Sequence, residues 1–339
     1  MISLKKIKEL LDKSQNPLIF FDDDPDGLCS YLLLMKYLKR GDGVILKNSP
    51  TLDESYIVKV RQYCPDLVIV LDKPIISQDF VDKVNCPVIW IDHHPVIEIK
   101  GVKYFNPRFK NNEDNRPVTY WCYKLVNGEK WIAMMGIVSD WSLEGFDKLK
   151  KDYKTLLGDA KIKSPDDVLY DTEFGKLIKI VSFVLKGVTS ETYKFIELMM
   201  KVNTPEEILE RKTEAGKRIY ERFDNVNKVY EELLERAMKQ ENEEKIVFIY
   251  INPNLSFTSD LANELLHRTK AKLIFIGRED RGEIKASLRN REDGVKLPDA
   301  INKALDGLNG YGGGHDRASG CCVKKRDFNV FIERLKGLV

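Results

Sequence analysis

The chain has 339 residues, which at about 150 residues per domain predicts two domains. Hydrophobic residues make up 43% of it, which excludes a disordered protein, and 55 basic against 53 acidic residues leave a net charge of +2. This balance excludes a protein that holds nucleic acid through bulk charge, so any such binding must use a local patch. No apolar run approaches the ~20 residues of a membrane span, the segment at residues 1–13 is not expected to be a signal peptide, and no two cysteines form a Cys-x-x-Cys pair. We therefore expect a cytoplasmic protein with no membrane partner.

Short apolar runs alternate with helical patterns over residues 1–150, the first predicted domain. Strands are predicted at Leu18–Phe21, Val44–Leu46, Leu67–Leu71 and Val88–Ile91, and helices at about 27–40, 53–63 and 77–84. Strands separated by helices predict an α/β fold with a doubly wound, mostly parallel sheet. Two strands run into the acidic segments at Asp22 and at Asp92-His93-His94. Because ligands bind beyond the carboxyl ends of such strands, these segments are expected to share one crevice.

Residues 151–243 are predicted to form a helical region with a long linker helix. Ser164–Asp167 and Thr204–Glu207 each provide a capping residue, a Pro and an acid at the third helical position. The second of these segments predicts a helix from Thr204 to about Gln240. Its apolar residues alternate at spacings of four and three, which is typical of a heptad seam: Ile219, Phe223, Val226, Tyr230, Leu233 and Ala237. The seam either packs on its own chain or joins copies of the chain in a homo-oligomer.

Strand patterns return in residues 244–339 and predict a second, smaller α/β domain. Its strands are expected at Ile246–Tyr250, Leu273–Ile276 and around the alternating residues Ile284, Ala286 and Leu288. Its helices are expected at about 259–269, 298–306 and 327–336. Between the last two helices, residues 310–320 are predicted to form a glycine-rich loop.

The segment FFDDDPDGLCS, residues 20–30, contains the densest group of acidic residues. Asp22, Asp24 and Asp26 alternate directly after a strand and before a helix. Their carboxylates repel one another, and a folded protein tolerates this only where solvent or cations neutralise them. An EF-hand is excluded, because no Glu stands at its twelfth position and a strand precedes the segment. The segment is therefore either a cation site or a solvated turn in which Asp26 caps a helix.

Three further motifs offer metal ligands. Asp72 ends the strand LVIVLD and Asp140 follows an apolar stretch, and either residue taken alone is typical of a turn. His93 and His94 are adjacent in a chain that has only four histidines. On an extended backbone their side chains would point to opposite sides, so we expect one to bind a metal ion and the other to face the substrate.

These four motifs, in this order, resemble those of the DHH phosphoesterases. The Asp-x-Asp-x-Asp-Gly form is similar to the RecJ-like branch rather than to the nanoRNase branch, whose first motif usually begins with His. The pair Asn106-Pro107 and the segment 116–120 also resemble connecting segments of the RecJ-like branch. The resemblance implies a metal-dependent hydrolase of phosphodiesters.

The resemblance also implies two divalent cations and a set of ligands. One ion would be held by Asp22, Asp24 and Asp72, and the other by Asp26, Asp72, His93 and Asp140. His94 would contact the scissile phosphate, and Asp92 would orient a histidine. A set rich in carboxylate oxygens favours Mn²⁺, with Mg²⁺ as the alternative, over zinc.

A fifth motif, GYGGGHDRASG at residues 310–320, resembles the Gly-Gly-Gly-His loop of the DHH-associated C-terminal domain. KASLRNR, residues 285–291, resembles the basic strand of that domain. Glycines let backbone N–H groups approach an anion, and arginine offers a two-pronged donor to phosphate. The residues expected to bind substrate are Ser287, Arg289, Gly312, Gly313, Gly314 and His315.

Three functions follow from these features. The first is an exonuclease that acts on the ends of single-stranded DNA or RNA by a two-metal mechanism. The second is a nanoRNase or cyclic-dinucleotide phosphodiesterase that acts on short oligonucleotides. The third is a catalytically inactive scaffold in a replication complex, which would be expected to have lost metal ligands. DNA repair or replication proteins are the partners that the first and third functions imply.

Overall fold

A computed structural model describes residues 1–47, 51–252, 254–292 and 294–339. The chain divides into two compact units, one of Met1–Leu185 with Thr189–Phe223 and one of Lys186–Val188 with Asp224–Val339. Each unit contains a five-stranded sheet with helices packed on it, which confirms the predicted α/β class. None of the helices in the described ranges is both long enough and apolar enough to cross a bilayer.

The first unit is built on a parallel sheet. Its strands are β1 (Pro17–Asp22), β2 (Asp42–Leu46), β4 (Leu67–Leu71), β6 (Val88–Ile91) and β7 (Val102–Phe105), and a separate pair is formed by β3 (Thr51–Leu52) and β5 (Ile75–Ile76). The five strands lie in the order β2-β1-β4-β6-β7, and every neighbouring pair is parallel. The four predicted strands are confirmed as β1, β2, β4 and β6. The sequence did not predict β7, in which only the last two residues are buried.

Helices cover both faces of this sheet. They are α1 (Leu4–Lys13), α2 (Pro25–Leu38), α3 (Ile57–Tyr63), α4 (Gln78–Lys83), α5 (Val118–Val126), α6 (Lys130–Ser139), α7 (Phe146–Leu149), α8 (Lys154–Leu157), α9 (Pro165–Asp171), α10 (Glu173–Val184), α11 (Thr189–Lys201) and α12 (Pro205–Leu209). Successive residues of a strand point to opposite faces. Phe20 accordingly packs edge-on against Phe80 of α4, whereas Phe21 stacks on Tyr31 of α2. The sheet is therefore doubly wound, as predicted.

The predicted helix from Thr204 to Gln240 is wrong, because two helices occupy this segment. After α12, helix resumes as α13 (Glu214–Met238). Between them Arg211 has a φ of 55°, which an α-helix cannot contain. A Cβ at Gly216 would lie 1.8 Å from the carbonyl oxygen of Glu207, so this glycine permits the sharp turn. The capping boxes at Ser164 and Thr204 are present as predicted.

The six apolar residues of the heptad seam are all buried within the chain itself. Phe223, for example, lies 5.9 Å from Phe183 between ring centres, and Tyr230 lies 5.5 Å from Phe257. Packing of the seam on its own chain is therefore favoured over a seam between copies.

The second unit is built on a mixed sheet. Its strands are β8 (Lys245–Ile251), β9 (Leu273–Asp280), β10 (Glu283–Asn290), β11 (Gly310–His315) and β12 (Ala318–Lys324), and its further helices are α14 (Thr258–Arg268), α15 (Leu297–Ala304) and α16 (Phe328–Lys336). The order is β11-β12-β10-β9-β8, with β8 and β9 parallel and the other pairs antiparallel. The predicted strands β8, β9 and β10 and the three predicted helices are confirmed. Helices α15 and α16 share a core with the sheet, and α14 also packs on β9 and β10.

The loop predicted at residues 310–320 is wrong, because this segment is mostly a β-hairpin. Six consecutive residues of β11 pair with β12, from Gly310 opposite Val323 to His315 opposite Ala318. Glycine has low strand propensity, which is why the sequence predicts a loop. The neighbouring strand β12 provides the backbone partners that hold the glycines extended.

Candidate functional site

Three neighbouring strands deliver acidic side chains to one edge of the first sheet. Asp22 ends β1, Asp72 follows β4, and Asp92 and His93 follow β6. Because β1, β4 and β6 are adjacent and parallel, their carboxyl ends meet at the same edge. The two acidic segments therefore meet at one edge of the sheet, as the sequence predicts.

We call this edge, which carries Asp22, Asp72, Asp92 and His93, the acidic edge. His93 lies at its centre. Its Nδ1 lies 2.9 Å from the carbonyl oxygen of Asn115, and because a carbonyl only accepts, Nδ1 carries the proton. Its Nε2 lies 3.4 Å from Asp72 Oδ1 and 3.7 Å from Asp140 Oδ2. Asp140 reaches this position from the C-terminal end of α6. The Asn115 contact thus turns the other ring nitrogen toward two carboxylates, as metal-binding histidines are commonly oriented.

Two groups of three side chains are spaced to hold a cation, and both contain His93. One is Asp26, His93 and Asp140, and the other is Asp72, His93 and His94, with ligand atoms in each group within 4.8 Å of one another. Asp72 Oδ1 is buried and has no hydrogen-bond partner in the described part of the chain. A buried carboxylate oxygen without a partner is costly, and a divalent cation would satisfy it. The donors are mostly carboxylate oxygens, so these residues fit Mn²⁺ or Mg²⁺.

Asp26 lies in the first turn of α2, and hydrogen bonds from the start of α5 fix its side chain. Its two carboxylate oxygens accept hydrogen bonds from the backbone N–H groups of Val118, at 2.9 Å, and Thr119, at 2.8 Å. These amides begin α5, where helix N–H groups have no partner within the helix. The Thr119 hydroxyl also donates to the Asp26 carbonyl oxygen at 2.9 Å. Asp26 therefore joins α2 to α5 while its carboxylate faces the acidic edge.

The charges at this edge perturb one another strongly. Burial raises the pKa of the carboxyl groups of Asp26, Asp72 and Asp140, and the Asp26 carboxylate raises the pKa values of the other two further. Burial by itself lowers the pKa of His93, but the Asp72 carboxylate at 3.4 Å and the carboxylates of Asp140 and Asp26 outweigh this and raise it to about 11. The His93 ring therefore keeps its second proton at neutral pH, which a bound divalent cation would displace.

Two of the predicted ligands, Asp22 and Asp24, belong to neither group of three among the described residues. Asp22 Oδ1 lies 2.6 Å from the ammonium nitrogen of Lys73. The Asp24 side chain caps α2, where Oδ1 accepts the Gly27 N–H at 2.8 Å. Sequence reasoning did not single out Lys73, because no spacing or repeat distinguishes a lysine that follows a strand.

The expectation that His93 and His94 point to opposite sides is wrong. Strand β6 ends at Ile91, so the two histidines lie beyond the strand whose alternation the expectation assumed. Their ring centres lie 4.6 Å apart, and His94 Nδ1 is 3.9 Å from the same Asp72 oxygen that His93 approaches. Both imidazoles therefore lie on the side of Asp72.

Different hydrogen bonds nevertheless distinguish the two histidines. His94 Nδ1 lies 2.8 Å from Asp92 Oδ1, and its side chain is 36% exposed. Asp92 is fully buried, and its Oδ2 accepts hydrogen bonds at 3.1 Å from the Tyr104 hydroxyl and from the Asn106 side chain. This network fixes the His94 ring through Asp92. Sequence reasoning assigned Asp92 to such a role but missed Tyr104, and it noted Asn106 only as part of a resembling segment.

In the second unit, the predicted substrate-binding residues lie in adjoining rows of the sheet. Ser287 pairs with Gly320, which pairs with Gly313, and Arg289 pairs with Ala318, which pairs with His315. Directly paired residues of antiparallel strands project from the same face. Arg289 and His315 therefore project from one face, with Ala318 between them and the small residues Ser287, Gly320 and Gly313 in the adjoining row.

Helix α14 covers only part of this face. The Arg289 Nε–H donates to Asn263 Oδ1 at 2.5 Å, and the Ser287 hydroxyl lies 3.0 Å from those of Thr258 and Ser259. Toward β11 the face is open, since a Cβ built on Gly313 would meet no atom within 4 Å. Gly312 and Gly314 differ from Gly313. A Cβ built on Gly312 would lie 2.6 Å from its nearest neighbouring atom, and one built on Gly314 would lie 2.8 Å from its nearest neighbouring atom. We define this surface, from Ser287 and Arg289 to Gly313 and His315, as the glycine floor.

The sequence matches the model of the DHH family, N-terminal domain, over residues 16–156, and the DHHA1 domain over residues 243–339. The chain belongs to the DHH family of phosphoesterases. This confirms the family expected from the five motifs. Comparison with curated protein sequences gives no significant match.

Solved structures share the fold of this DHH protein. RecJ from Thermus thermophilus in complex with Mn²⁺ matches with a TM-score of 0.67 and 15% identity, over 98% of this chain and 54% of that one. An exonuclease RecJ bound to manganese matches with a TM-score of 0.63 and 15% identity, over 98% of this chain and 93% of that one. The pGpG-specific phosphodiesterase PggH from Vibrio cholerae matches with a TM-score of 0.50 and 13% identity, over 96% and 100%. The chain thus spans about half of the Thermus RecJ and has a RecJ-like fold.

Proposed function

We propose that this DHH protein is a metal-dependent phosphodiesterase, an exonuclease that hydrolyses single-stranded DNA or RNA from its ends. The observation that carries the proposal is the acidic edge, where Asp26, Asp140 and His93 converge beside a buried Asp72 oxygen that has no hydrogen-bond partner. Bound divalent cations, Mn²⁺ in preference to Mg²⁺, would polarise the phosphate and supply an activated water.

The residues fit the two expected ions unequally. The set Asp26, Asp72, His93 and Asp140 fits one ion, because its members converge around His93 Nε2. The set Asp22, Asp24 and Asp72 fits poorly, because the Lys73 ammonium already pairs with Asp22, and neither Asp22 nor Asp24 belongs to a group of three ligating side chains among the described residues.

His94 is the residue that we assign to the scissile phosphate. Asp92 fixes its ring through Nδ1, which leaves Nε2 as the nitrogen available to substrate. In the protonated ring, Nε2–H can donate to a phosphate oxygen or to the departing oxygen. Tyr104 and Asn106 hold Asp92 in place and so act as positioning residues.

The glycine floor is the surface that we assign to substrate binding. Strands in a sheet lie about 4.8 Å apart, so Arg289 and His315, two strands apart, frame a gap of about 10 Å. Such a gap admits a phosphate and its sugar, and Gly313 lets them approach the backbone. Arg289 would donate to the phosphate and His315 would complete its binding. A surface this narrow suits a single strand.

A second candidate is hydrolysis of short oligonucleotides or dinucleotides, as by a nanoRNase or cyclic-dinucleotide phosphodiesterase. The observation that favours it is the match to PggH, which extends over 100% of that phosphodiesterase. Both candidates use the same acidic edge and differ in the length of nucleic acid bound. A role in DNA repair or replication belongs to the exonuclease proposal.

End-labelled substrates of graded length test these proposals. DNA and RNA of about two to thirty nucleotides, labelled at the 5′ or 3′ end, would be incubated with the protein and Mn²⁺. The exonuclease proposal predicts successive shortening of long strands, and the second candidate predicts cleavage of only the shortest. Protein that binds Mn²⁺ and these strands but cleaves none of them would contradict both and favour the scaffold alternative. Asp79→Asn, at an exposed acidic residue of α4, is the control that should retain full activity.

A further inference from the structure

Lys73 brings a fixed positive charge into the acidic edge. Its side chain is 2% exposed, and its ammonium nitrogen lies 2.6 Å from Asp22 Oδ1. Lysine is almost never this buried without a partner, because an ammonium ion loses its hydration there. The same Asp22 oxygen also accepts the Asp23 N–H at 3.0 Å. Asp22 is therefore engaged with groups of this chain.

The Lys73 ammonium pairs with a carboxylate that the two-ion arrangement would give to a metal ion. In the two-ion arrangement, Asp22 and Asp24 would share a cation with Asp72, the residue directly before Lys73. A divalent cation bound to Asp22 would lie within a few ångströms of the ammonium, and two cations at that separation repel strongly in a buried site. Among the described residues, no group of three metal-ligating side chains includes Asp22 or Asp24.

The remaining ligands stay available to one ion. His93 Nε2 lies within 3.7 Å of carboxylate oxygens of both Asp72 and Asp140, and Asp26 is in the same group as Asp140. Among the described residues, the carboxylates of Asp26, Asp72 and Asp140 form no ion pair with a lysine or an arginine. Asp22 differs, because its carboxylate pairs with Lys73.

We propose that the Lys73 ammonium replaces one of the two divalent cations, so that the acidic edge binds a single divalent ion. Lys73 then balances the charge of Asp22, and the ion is held by Asp26, Asp72, His93 and Asp140. This inference rests on the metal dependence in the proposed function. Because its side chain is buried, Lys73 is a charge-balancing residue and does not contact substrate.

The number of Mn²⁺ ions bound per chain tests the inference. Chelated wild-type protein would be titrated with Mn²⁺ without substrate, and free Mn²⁺ would be followed by electron paramagnetic resonance. The expected result is one tightly bound ion with no signal from an exchange-coupled pair. Two ions of similar affinity with a coupled spectrum would overturn the inference and leave hydrolysis untouched. No bound ion at all would instead overturn the proposed function.

Lys73→Met and Asp22→Asn extend this test. Lys73→Met removes the charge but keeps an apolar side chain, and it should bind a second Mn²⁺ and show the coupled spectrum. A folded Lys73→Met protein that still binds one ion would contradict the exchange of ammonium for metal. If this variant does not fold by circular dichroism, Asp22→Asn decides. Affinity for one ion should stay within about tenfold of wild type, whereas the matched variant Asp26→Asn should lose more than that. Loss of an ion in Asp22→Asn would make Asp22 a ligand and overturn the inference.

Discussion

Replacing Asp72 by Asn should change metal-free and metal-loaded stability in opposite directions. In the metal-free protein, the Asp72 carboxylate is buried, one of its oxygens has no hydrogen-bond partner, and burial together with Asp26 and Asp24 raises its pKa. A buried group without a partner costs about 1–3 kcal/mol. Asn keeps the shape without the charge, so metal-free Asp72→Asn should melt about 2–12 °C higher, at about 2–4 °C per kcal/mol.

With Mn²⁺ the order should reverse. At one hundred times its Kd a ligand stabilises by about 2.7 kcal/mol, which corresponds to about 5–10 °C for a domain of this size. Wild type should gain this shift, and Asp72→Asn should lose most of it, because it lacks the central carboxylate. Differential scanning fluorimetry with and without Mn²⁺ measures both effects. Asp79→Asn should resemble wild type in each condition. A lower metal-free Tm in Asp72→Asn, together with a full Mn²⁺ shift, would refute this reasoning.

Further predictions concern the histidines and the glycine floor. His93→Ala should lose both Mn²⁺ affinity and hydrolysis rate, whereas His94→Ala should keep its Mn²⁺ affinity and lose hydrolysis rate. Calorimetric titration with Mn²⁺ measures the affinities, and an equal loss in both variants would contradict the division of roles. Because the pKa of His93 is raised to about 11, Mn²⁺ must displace its proton, so Mn²⁺ affinity should rise between about pH 6 and about pH 9. Calorimetry in buffers of different ionisation enthalpy should show about one proton released from this ring, and a pH-independent affinity would argue against it. Arg289→Ala should weaken single-strand binding by about 1–3 kcal/mol, and the difference from wild type should shrink as salt rises. Gly313→Val should leave Tm within about 1 °C, since a Cβ there meets no atom within 4 Å, yet weaken binding as much as His315→Ala. In any of these three variants of the glycine floor, a rate loss that persists at saturating substrate would place the floor in the chemical step.

Much of the first unit follows from the sequence, because its strands are short apolar runs that end in polar residues. Leu67–Leu71 and Val88–Ile91 are strands with the predicted bounds. Once these strands are parallel neighbours of β1, the convergence of Asp22, Asp72 and His93 at one edge needs no further information.

The features of the acidic edge that the sequence did not predict depend on contacts between residues far apart in the chain. The Asn115 carbonyl orients His93 from a loop 22 residues away, and Lys73 binds Asp22 across 51 residues. Neither contact leaves a periodic pattern. The two histidines were expected to diverge because an extended backbone was assumed beyond Ile91, where β6 in fact ends.

In the second unit the sequence singled out the residues of the glycine floor but did not predict the strand that carries several of them. The run Gly310–His315 reads locally as a loop, yet its pairing with β12 makes it a strand. That pairing is what aligns His315 with Arg289, 26 residues earlier in the chain, on one face. Local propensity was overridden by a partner strand, as is common in sheets.

The central claim is that the acidic edge hydrolyses phosphodiesters with the help of a divalent cation. Its most direct test is hydrolysis of an end-labelled single-stranded oligonucleotide by protein first stripped with a chelator and then supplied with metal. The stripped protein should be inactive, Mn²⁺ should restore activity more fully than Mg²⁺, and Asp72→Ala should remain inactive with either ion. Full hydrolysis in excess chelator, or undiminished hydrolysis by Asp72→Ala, would contradict the account.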